Sequence, residues 1–289
     1  MELSVIIVSY NVNEYLKECL FSTKKASEKI DCEIFVVDNN SNDSSAEMVR
    51  NEFPEIKLIQ NTINKGFSAA NNQAIKQSAG QYILLLNPDT LVEEDTFSKC
   101  IGFMKNHPDA GALGVRMVNG EGRFLPESKR SLPTPATAFF KIFGFSFLFP
   151  KSHLFSRYYL SHVDCYETSA AEVIAGAFMF IRREAMEKAG LPDEDFFMYG
   201  EDIDLSYRII KAGYQNYYFP EVQIIHFKGQ STSRNNYNDI FNFYRAMRIY
   251  SGKRHEEKFT LLYFLIIPAI YFRQGFSIIN RFFRINFLR

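Results

Sequence analysis

The stretch Leu84-Leu85-Leu86-Asn87-Pro88-Asp89-Thr90 joins an apolar run to an amide, a proline and one carboxylate. Because a short apolar run of this kind is typical of a buried strand, the pattern predicts that Asp89 follows a strand's carboxyl end. Proline cannot continue the hydrogen-bond ladder, so the strand is expected to stop there. Open α/β sheets bind their ligands at this edge. Alone, Asn-Pro-Asp is a common turn, so a chemical interpretation depends on the other segments.

Strand patterns alternate with helical patterns on both sides of this stretch. We predict strands at about 3–9, 33–37, 57–60 and 81–86, and helices at about 14–28, 44–52, 66–79 and 93–106. Alternation of this kind is typical of βαβ units. The expected fold class is therefore α/β, with a mostly parallel central sheet flanked by helices.

The regular pattern stops between about residues 120 and 170, and we interpret that stretch as a mobile loop or lid. Beyond it we expect a strand at about 172–182 and a helix at about 201–212 that ends at Gly213. Two further strands are expected near 216–219 and 222–227. From about residue 238 the pattern is helical and apolar.

Bulk composition narrows the class of protein. The 289 residues include 33 basic and 33 acidic side chains, so the charge balance gives no indication of a nucleic-acid partner. The four cysteines have no CxxC or metal-type spacing, which favours reduced thiols in the cytosol. The first residues enter a strand pattern without a basic segment, so we expect no secretory signal. These features predict a cytoplasmic protein.

Polar residues follow the first two predicted strands and precede one predicted helix. Ser9-Tyr10-Asn11 follows the first strand, and Asp38 ends the second, shortly before Asn40. A carboxylate at this edge suits the imide N–H of uracil or thymine. The turn Asn64-Lys65-Gly66 precedes a helix that carries Asn71. A glycine and a cation in such a turn can approach a nucleotide phosphate or base closely, although the same sequence is common in ordinary turns.

An acidic cluster and a histidine follow later in the chain. Glu201, Asp202 and Asp204 lie around the predicted start of a helix, next to an aromatic segment at 196–199. Acidic residues favour the positive end of a helix dipole, which accounts for one or two of the three. His226 ends an apolar strand pattern, where a lone histidine is often structural.

In their order along the chain, these segments resemble glycosyltransferase family 2, and most of all its rhamnosyltransferase-like branch in bacterial surface polysaccharide synthesis. The resemblance covers about residues 3–232 and rests on VSYN (8–11), VVDNNS (36–41), NKGF (64–67), LLNPD (85–89), GAFM (176–179), GEDIDL (200–205) and HFKGQS (226–231). It implies a GT-A fold, with a nucleotide-binding half at about 1–118 and an acceptor half at about 119–235. Residues 236–289 would form a C-terminal helical segment at the membrane interface.

The resemblance also implies roles for individual residues. Asp89 would be the last acid of the family's Asp-x-Asp motif and His226 an additional ligand, holding Mg²⁺ or Mn²⁺ against the donor diphosphate. Asn87 replaces the first acid of that motif; it can bond a ribose hydroxyl but brings no charge. Asp38 would hold the pyrimidine base, and the other nucleotide-binding residues would be Ser9, Tyr10, Asn11, Asn40, Lys65, Gly66 and Asn71.

The expected reaction is an inverting sugar transfer from a nucleotide-sugar, dTDP-rhamnose by branch resemblance or otherwise a UDP-hexose. The acceptor would be a hydroxyl of a glycan or of a polyprenyl-diphosphate-linked glycan. Asp202 is the predicted general base, with Glu201 as the second choice. Two alternatives stay open: a sugar nucleotidyltransferase, and an inactive subunit that binds glycan or nucleotide. The first usually has a glycine-rich basic loop after the first strand, which residues 9–13 lack.

The tail combines apolar residues with cations. Residues 259–272 are almost wholly apolar but are too few to span a bilayer and include Pro268. No acidic residue follows Glu257, whereas aromatic residues and arginines alternate beyond residue 272. This composition suits an amphipathic helix on the anionic inner face of the plasma membrane. A core helix or a homodimer interface is the alternative.

Overall fold

The computed structural model describes residues 1–134, 157–229, 237–257 and 263–287. The stretch predicted as a loop or lid at about 120–170 is therefore described only in part, because residues 135–156 lie outside the described residues. Residues 258–262 of the apolar tail and residues 230–231 of the histidine motif lie outside them as well.

The first part of the chain forms four parallel strands in the order β3-β2-β1-β4. Every residue of β1 and β4 is buried, which accounts for the continuous apolar runs of these two strands. The predicted alternation is confirmed here, with bounds β1 Leu3–Ser9, α1 Asn13–Ser27, β2 Cys32–Asp38, α2 Ser45–Glu52, β3 Lys57–Gln60, α3 Phe67–Ile75 and β4 Tyr82–Leu86.

Helix α3 ends before its predicted end because the chain turns there to approach β1. The N–H groups of Gln77 and Ser78 donate to carbonyls three residues earlier, which closes the last turn. Gly80 then passes so close to β1 that a Cβ at this position would lie 2.5 Å from the backbone nitrogen of Ser4.

The second part of the chain extends the same sheet with both strand directions. The full order is β3-β2-β1-β4-β8-β6-β9-β5, and β7 pairs with β9. Strand β8 runs antiparallel to both β4 and β6, so the sheet is mixed. The α/β fold class is confirmed, with further elements β5 Thr90–Val92, α4 Thr96–Asn106, β6 Ala110–Val118, β7 Ser169–Ala170, β8 Phe178–Arg182, α5 Arg183–Ala189, α6 Glu201–Lys211 and β9 Gln215–His226.

Several elements of this part differ from the sequence prediction. Strand β8 begins only at Phe178, because Gly176 and Ala177 form a turn before it. The two strands predicted near 216–219 and 222–227 are one strand, β9, whose register shifts opposite Val115 and Arg116. Strand β6 and helix α5 are not predicted by the sequence pattern at all.

Two helices, α7 (Tyr237–Glu257) and α8 (Tyr263–Phe287), form the predicted C-terminal helical segment. They pack on each other through the Tyr244 and Ser277 hydroxyls, 2.7 Å apart, and through Arg248, which donates to Gln274 at 2.7 Å. In the parts of the chain that the structure describes, no helix has the length and apolarity needed to cross a membrane.

Candidate active site

Asp89 and His226 meet at one edge of the sheet. Strand β5 pairs antiparallel with the end of β9, which places Thr90 opposite His226. The N–H of Phe227 donates to the Asp89 carbonyl at 2.9 Å, and His226 Nε2 lies 3.3 Å from Asp89 Oδ1. Both side chains are buried. The two residues predicted as metal ligands therefore share one location.

Asn87 lies beside this pair. Its backbone N–H donates to the Ala177 carbonyl at 3.0 Å, and its Nδ2 lies 3.5 Å from His226 Nε2. No cluster of three or more His, Cys, Asp or Glu side chains suited to a metal ion occurs among the described residues. One carboxylate and one imidazole fit an ion that is otherwise coordinated by phosphate oxygens and water. The Asp89 carboxylate and the His226 imidazole are thus compatible with a divalent cation bound together with a diphosphate.

The predicted nucleotide end lies where β1 and β2 finish side by side. The register pairs Ser9 with Asp38, which is 1% exposed. Asp38 Oδ2 accepts a hydrogen bond from the Ser41 N–H at 3.2 Å. Asp38 Oδ1 and Ser9 Oγ are both buried and have no hydrogen-bond partner in the described part of the chain. Unpaired buried oxygens are costly, so these two atoms fit a ligand with polar hydrogens.

The loops after these two strands hold each other in unusual backbone conformations. Asn11 and Asn40 have positive φ values of 54° and 70°. The N–H of Asn42 donates to Asn11 Oδ1 at 2.8 Å, and the Asn11 N–H donates to the Ser41 hydroxyl at 3.0 Å. Tyr10 is partly buried at the same edge. Ser9, Tyr10, Asn11, Asp38 and Asn40 are therefore brought together.

The Asn64-Lys65-Gly66 turn has a different geometric reason from the one the sequence suggested. A Cβ on Gly66 would lie 2.6 Å from the Phe197 carbonyl oxygen, and the Phe67 N–H donates to that oxygen at 2.7 Å. The close approach that requires glycine is thus made by Phe197. Lys65 is exposed. Asn71 donates to the Phe67 carbonyl at 2.9 Å, while its buried Oδ1 has no partner among the described residues.

The three carboxylates at the start of α6 have different partners. Asp202 forms an ion pair with Arg130, and its Oδ2 also accepts a hydrogen bond from the Gly176 N–H at 3.2 Å. Asp204 Oδ2 accepts one from Arg208 at 2.7 Å, and that arginine also donates to the carbonyls of residues 189–191, so this pair is structural.

Glu201 differs from both neighbours. Its Oε2 is inaccessible to solvent and has no hydrogen-bond partner in the described part of the chain. Burial, followed by the charge of Asp202, raises the pKa of the Glu201 carboxyl to about 8, although Arg130 opposes the rise. For Arg130, burial alone would lower the pKa, but Asp202 and Tyr158 raise it overall, so the guanidinium stays charged.

The turn at Gly176-Ala177 joins the two groups of residues. The Ala177 carbonyl accepts the hydrogen bond from Asn87, and the neighbouring Gly176 N–H donates to Asp202. Consecutive Cα atoms are only about 3.8 Å apart. The Asp89–His226 pair, through Asn87, and the Asp202 carboxylate therefore both reach one two-residue turn and lie in one region of the molecule.

Several residues that support the site were not predicted from the sequence. Arg130 lies in the unassigned stretch, where no periodicity singles it out. Asn39 holds the neighbouring turn in place: its Oδ1 accepts from the Lys65 N–H at 3.0 Å, and its Nδ2 donates to Asn64 at 2.8 Å. Its position directly after Asp38 was the available signal. Glu127, three residues before Arg130, forms an ion pair with Lys228, which is two residues after His226.

The chain is similar to known proteins over much of its length. The sequence profile described as Glycosyl transferase family 2 matches residues 4–190. A Mycobacterium tuberculosis relative, N-acetylglucosaminyl-diphospho-decaprenol L-rhamnosyltransferase, is 25% identical over 264 residues, covering 88% of this chain and 85% of the relative. Poly-beta-1,6-N-acetyl-D-glucosamine synthase of Staphylococcus epidermidis is 26% identical, covering 75% of this chain and 48% of the synthase.

Solved structures show the fold. The mannosyltransferase PcManGT from Pyrobaculum calidifontis, solved with GDP-Man and Mn²⁺, has a TM-score of 0.61 at 19% identity, covering 93% of this chain and 68% of that chain. Residues 1–349 of S. aureus TarS, solved with UDP-GlcNAc, have a TM-score of 0.57 at 19% identity, covering 99% of this chain and 74% of that chain. The predicted GT-A fold is confirmed, and the chain belongs to glycosyl transferase family 2.

Proposed function

We propose that this glycosyltransferase moves a sugar with inversion from a nucleotide-sugar to a hydroxyl of a lipid-linked glycan. The observation that carries the proposal is that Asp89 and His226, through Asn87, and Asp202 all lie next to the Gly176-Ala177 turn. Sugar transfer needs both a site for the leaving diphosphate and a base for the attacking hydroxyl within reach of one sugar.

The donor nucleotide is bound at the ends of β1 and β2. Asp38 Oδ1 accepts the imide N–H of a pyrimidine base, which supplies the partner that this buried oxygen lacks within the described chain. Ser9, Tyr10, Asn11 and Asn40 surround the base, and Asn71 and Lys65 face the remainder of the donor. A UDP- or dTDP-sugar fits this carboxylate better than a CDP-sugar, because N3 of cytosine has no hydrogen to donate.

Asp89 and His226, with Asn87 beside them, would hold a divalent cation near the donor diphosphate. When bound, the ion offsets the negative charge that the departing diphosphate gains. The single carboxylate suits either Mg²⁺ or Mn²⁺, and the imidazole favours Mn²⁺. The family resemblance and the Mn²⁺ of the PcManGT structure support a cation at this location.

Asp202 accepts the proton of the acceptor hydroxyl. As that oxygen forms its bond to the anomeric carbon, the bond to the diphosphate breaks and its electron pair leaves with the diphosphate. Arg130, together with the Gly176 N–H, fixes the orientation of the Asp202 carboxylate. General-base assistance of this kind is worth roughly 10²–10⁴-fold in rate.

The rhamnose donor and the lipid-linked acceptor rest on the mycobacterial relative, whose name gives both. The test is a panel of dTDP-rhamnose, UDP-GlcNAc and GDP-mannose with a synthetic GlcNAc-diphosphate-lipid, run with Mg²⁺, Mn²⁺ or chelator and read by product mass. We expect rhamnose transfer that chelator abolishes. Asp89→Asn should behave like chelator treatment, whereas Glu121→Gln, at an exposed surface pair, should not. Transfer that persists in chelator would remove the metal assignment.

Helix α8 supports attachment to the inner face of the membrane. Its exposed residues include Tyr271, Phe272 and Phe276, and Phe272 is 79% exposed. Arg273 and Arg281 lie on the same helix, and no acidic residue follows Glu257. Aromatic side chains combined with cations suit the interface of an anionic bilayer, where a lipid-linked acceptor would also be found.

Vesicle flotation tests this attachment. The full chain should float with vesicles that contain phosphatidylglycerol and less with pure phosphatidylcholine, and the double variant Phe272→Ala, Phe276→Ala should lose most of the binding. Tyr166→Ala is a matched control, because Tyr166 is a 70% exposed aromatic residue outside the tail. A chain that stays unbound and forms a dimer, which the double variant disrupts, would assign this face to a second copy instead.

A further inference from the structure

Glu201 is the one carboxyl group of the acidic cluster that has neither a role in the proposed mechanism nor an ion-pair partner among the described residues. It is the first residue of α6, directly before the proposed base. Asp202 and Asp204 each have a cationic partner, whereas Glu201 Oε2 is shielded from water and has no partner among the described residues. A carboxylate in this situation would pay a large desolvation cost, but a protonated carboxyl only lacks an acceptor for its O–H.

The surroundings of Glu201 explain why its neutral form is favoured. A Cβ on Gly176 would lie 3.8 Å from Glu201 Oε1, so the turn at 174–177 runs close to this carboxyl, and none of its residues has an ionisable side chain. On its own helix, the charge of Asp202 disfavours a second negative charge on Glu201. Arg130, from the segment after β6, is already paired with Asp202.

Helix α7 covers the remaining side of this helix start. Ala246 lies 3.4 Å from where a Cβ on Gly200 would be, and Tyr250 belongs to the same apolar cluster. Lys253 of that helix forms ion pairs with Asp193 and Asp195. Lys253 is thus paired elsewhere, Arg248 donates to Gln274, and Arg245 is exposed to solvent.

We propose that Glu201 is a neutral hydrogen-bond donor of the sugar site, which presents its O–H to a hydroxyl oxygen of the sugar that reaches Asp202. The two neighbouring carboxyls then have opposite roles, since Asp202 accepts the proton of the attacking hydroxyl while Glu201 orients the sugar through an adjacent oxygen. This assignment rests on the proposed function and names Glu201 as a substrate-positioning residue rather than a second base.

The pH dependence of transfer tests the assignment. The kcat/KM of the wild type should fall about tenfold per pH unit above pH 8, where Glu201 loses its proton. Glu201→Gln keeps a donor group, so it should lose less than about tenfold at pH 7 and lack the high-pH decline. Glu201→Leu should lose more than about a hundredfold, mainly through the KM of the acceptor.

A second measurement does not require transfer activity. Because the folded protein keeps this proton to about pH 8 and an unfolded glutamate loses it near 4.5, wild-type stability should fall between pH 5 and pH 8 relative to Glu201→Gln. The linked change in the folding constant is on the order of 10²-fold. If no donor supports transfer, the proposed reaction fails, but this unfolding series still decides whether Glu201 is neutral.

Three results would overturn the proposal. Glu201→Gln could be as inactive at pH 7 as Asp202→Asn, which would make the ionised carboxylate essential. It could retain the decline above pH 8, which would assign that decline to another group. Its stability could follow pH in parallel with the wild type, which would show that Glu201 is ionised in the folded protein.

Discussion

Replacing Gly66 by alanine tests whether the Asn-Lys-Gly turn and the acidic cluster are packed as one unit. Gly66 has φ 83° and ψ 171°, a backbone region that is nearly restricted to glycine. The added Cβ would lie 2.6 Å from the Phe197 carbonyl oxygen and 2.7 Å from its ring. The strained backbone costs about 1–3 kcal/mol and the overpacking about 1–3 kcal/mol. We therefore expect Gly66→Ala to lower the free energy of unfolding by about 2–6 kcal/mol.

Urea unfolding followed by circular dichroism measures this loss, and Gly122→Ala is the matched control. Gly122 also has a positive φ, 77°, but no atom lies within 4 Å of where its Cβ would be. The control should therefore show only the backbone cost of about 1–2 kcal/mol. Equal losses in the two variants would refute the packing of Gly66 against Phe197. A larger loss at Gly66 should also be accompanied by slower transfer, because Phe197 leads into the helix that carries Asp202.

Four further substitutions probe the site and its support. Asp202→Asn should reduce turnover by roughly 10²–10⁴-fold while calorimetry still detects donor binding; near-normal turnover would exclude Asp202 as the base. Asp38→Asn should weaken binding of UDP or dTDP by about 1.5–3 kcal/mol in the same calorimeter, and unchanged affinity would contradict its contact with the base. Arg130→Gln should lower the free energy of unfolding, measured in urea, by about 3–5 kcal/mol, because it leaves the Asp202 carboxylate without its partner. Combining it with Asp202→Asn should recover part of that loss, because the unpaired negative charge is then removed as well. Burial lowers the pKa of Lys129, so the folded protein releases this proton at a lower pH than the unfolded chain. Raising the pH towards 10.5 should therefore increase the free energy of unfolding of the wild type relative to Lys129→Met, and parallel curves of that free energy against pH would contradict this.

The sequence predicted those strands that are continuous apolar runs. It did not predict β6, where close neighbours require small residues. Strand β6 was missed because Ala-Gly-Ala-Leu-Gly has little β-propensity. In the structure those small residues are required: a Cβ on Gly111 would lie 2.5 Å from Ile209, and one on Gly114 would lie 2.9 Å from Ile174. Helix α6 and the segment before β8 therefore press on a central strand whose own pattern does not indicate a strand.

The site was predictable as a set of segments but not as a set of contacts. Asp89 follows one apolar strand and His226 ends another, and the family resemblance, rather than either position alone, predicted that they share a site. The ion pair between Arg130 and Asp202 could not be foreseen, because Arg130 lies in a stretch without periodicity, and ion pairs between distant segments leave no local signal. The same holds for Gly66, whose neighbour Phe197 is more than a hundred positions away in sequence.

The antiparallel position of β8 between β4 and β6 sets the distance between Asn87 and the Gly176-Ala177 turn. The carboxyl end of β4 adjoins the amino end of β8, so Leu86 is paired with Phe178. Asn87, which follows β4, therefore donates its N–H directly to the carbonyl of Ala177, which precedes β8. Insertions or deletions between Arg130 and β8 would leave this strand pairing unchanged. Under the proposed function, acceptor specificity could then vary through that segment while the distance between Asn87 and the Gly176-Ala177 turn stays constant.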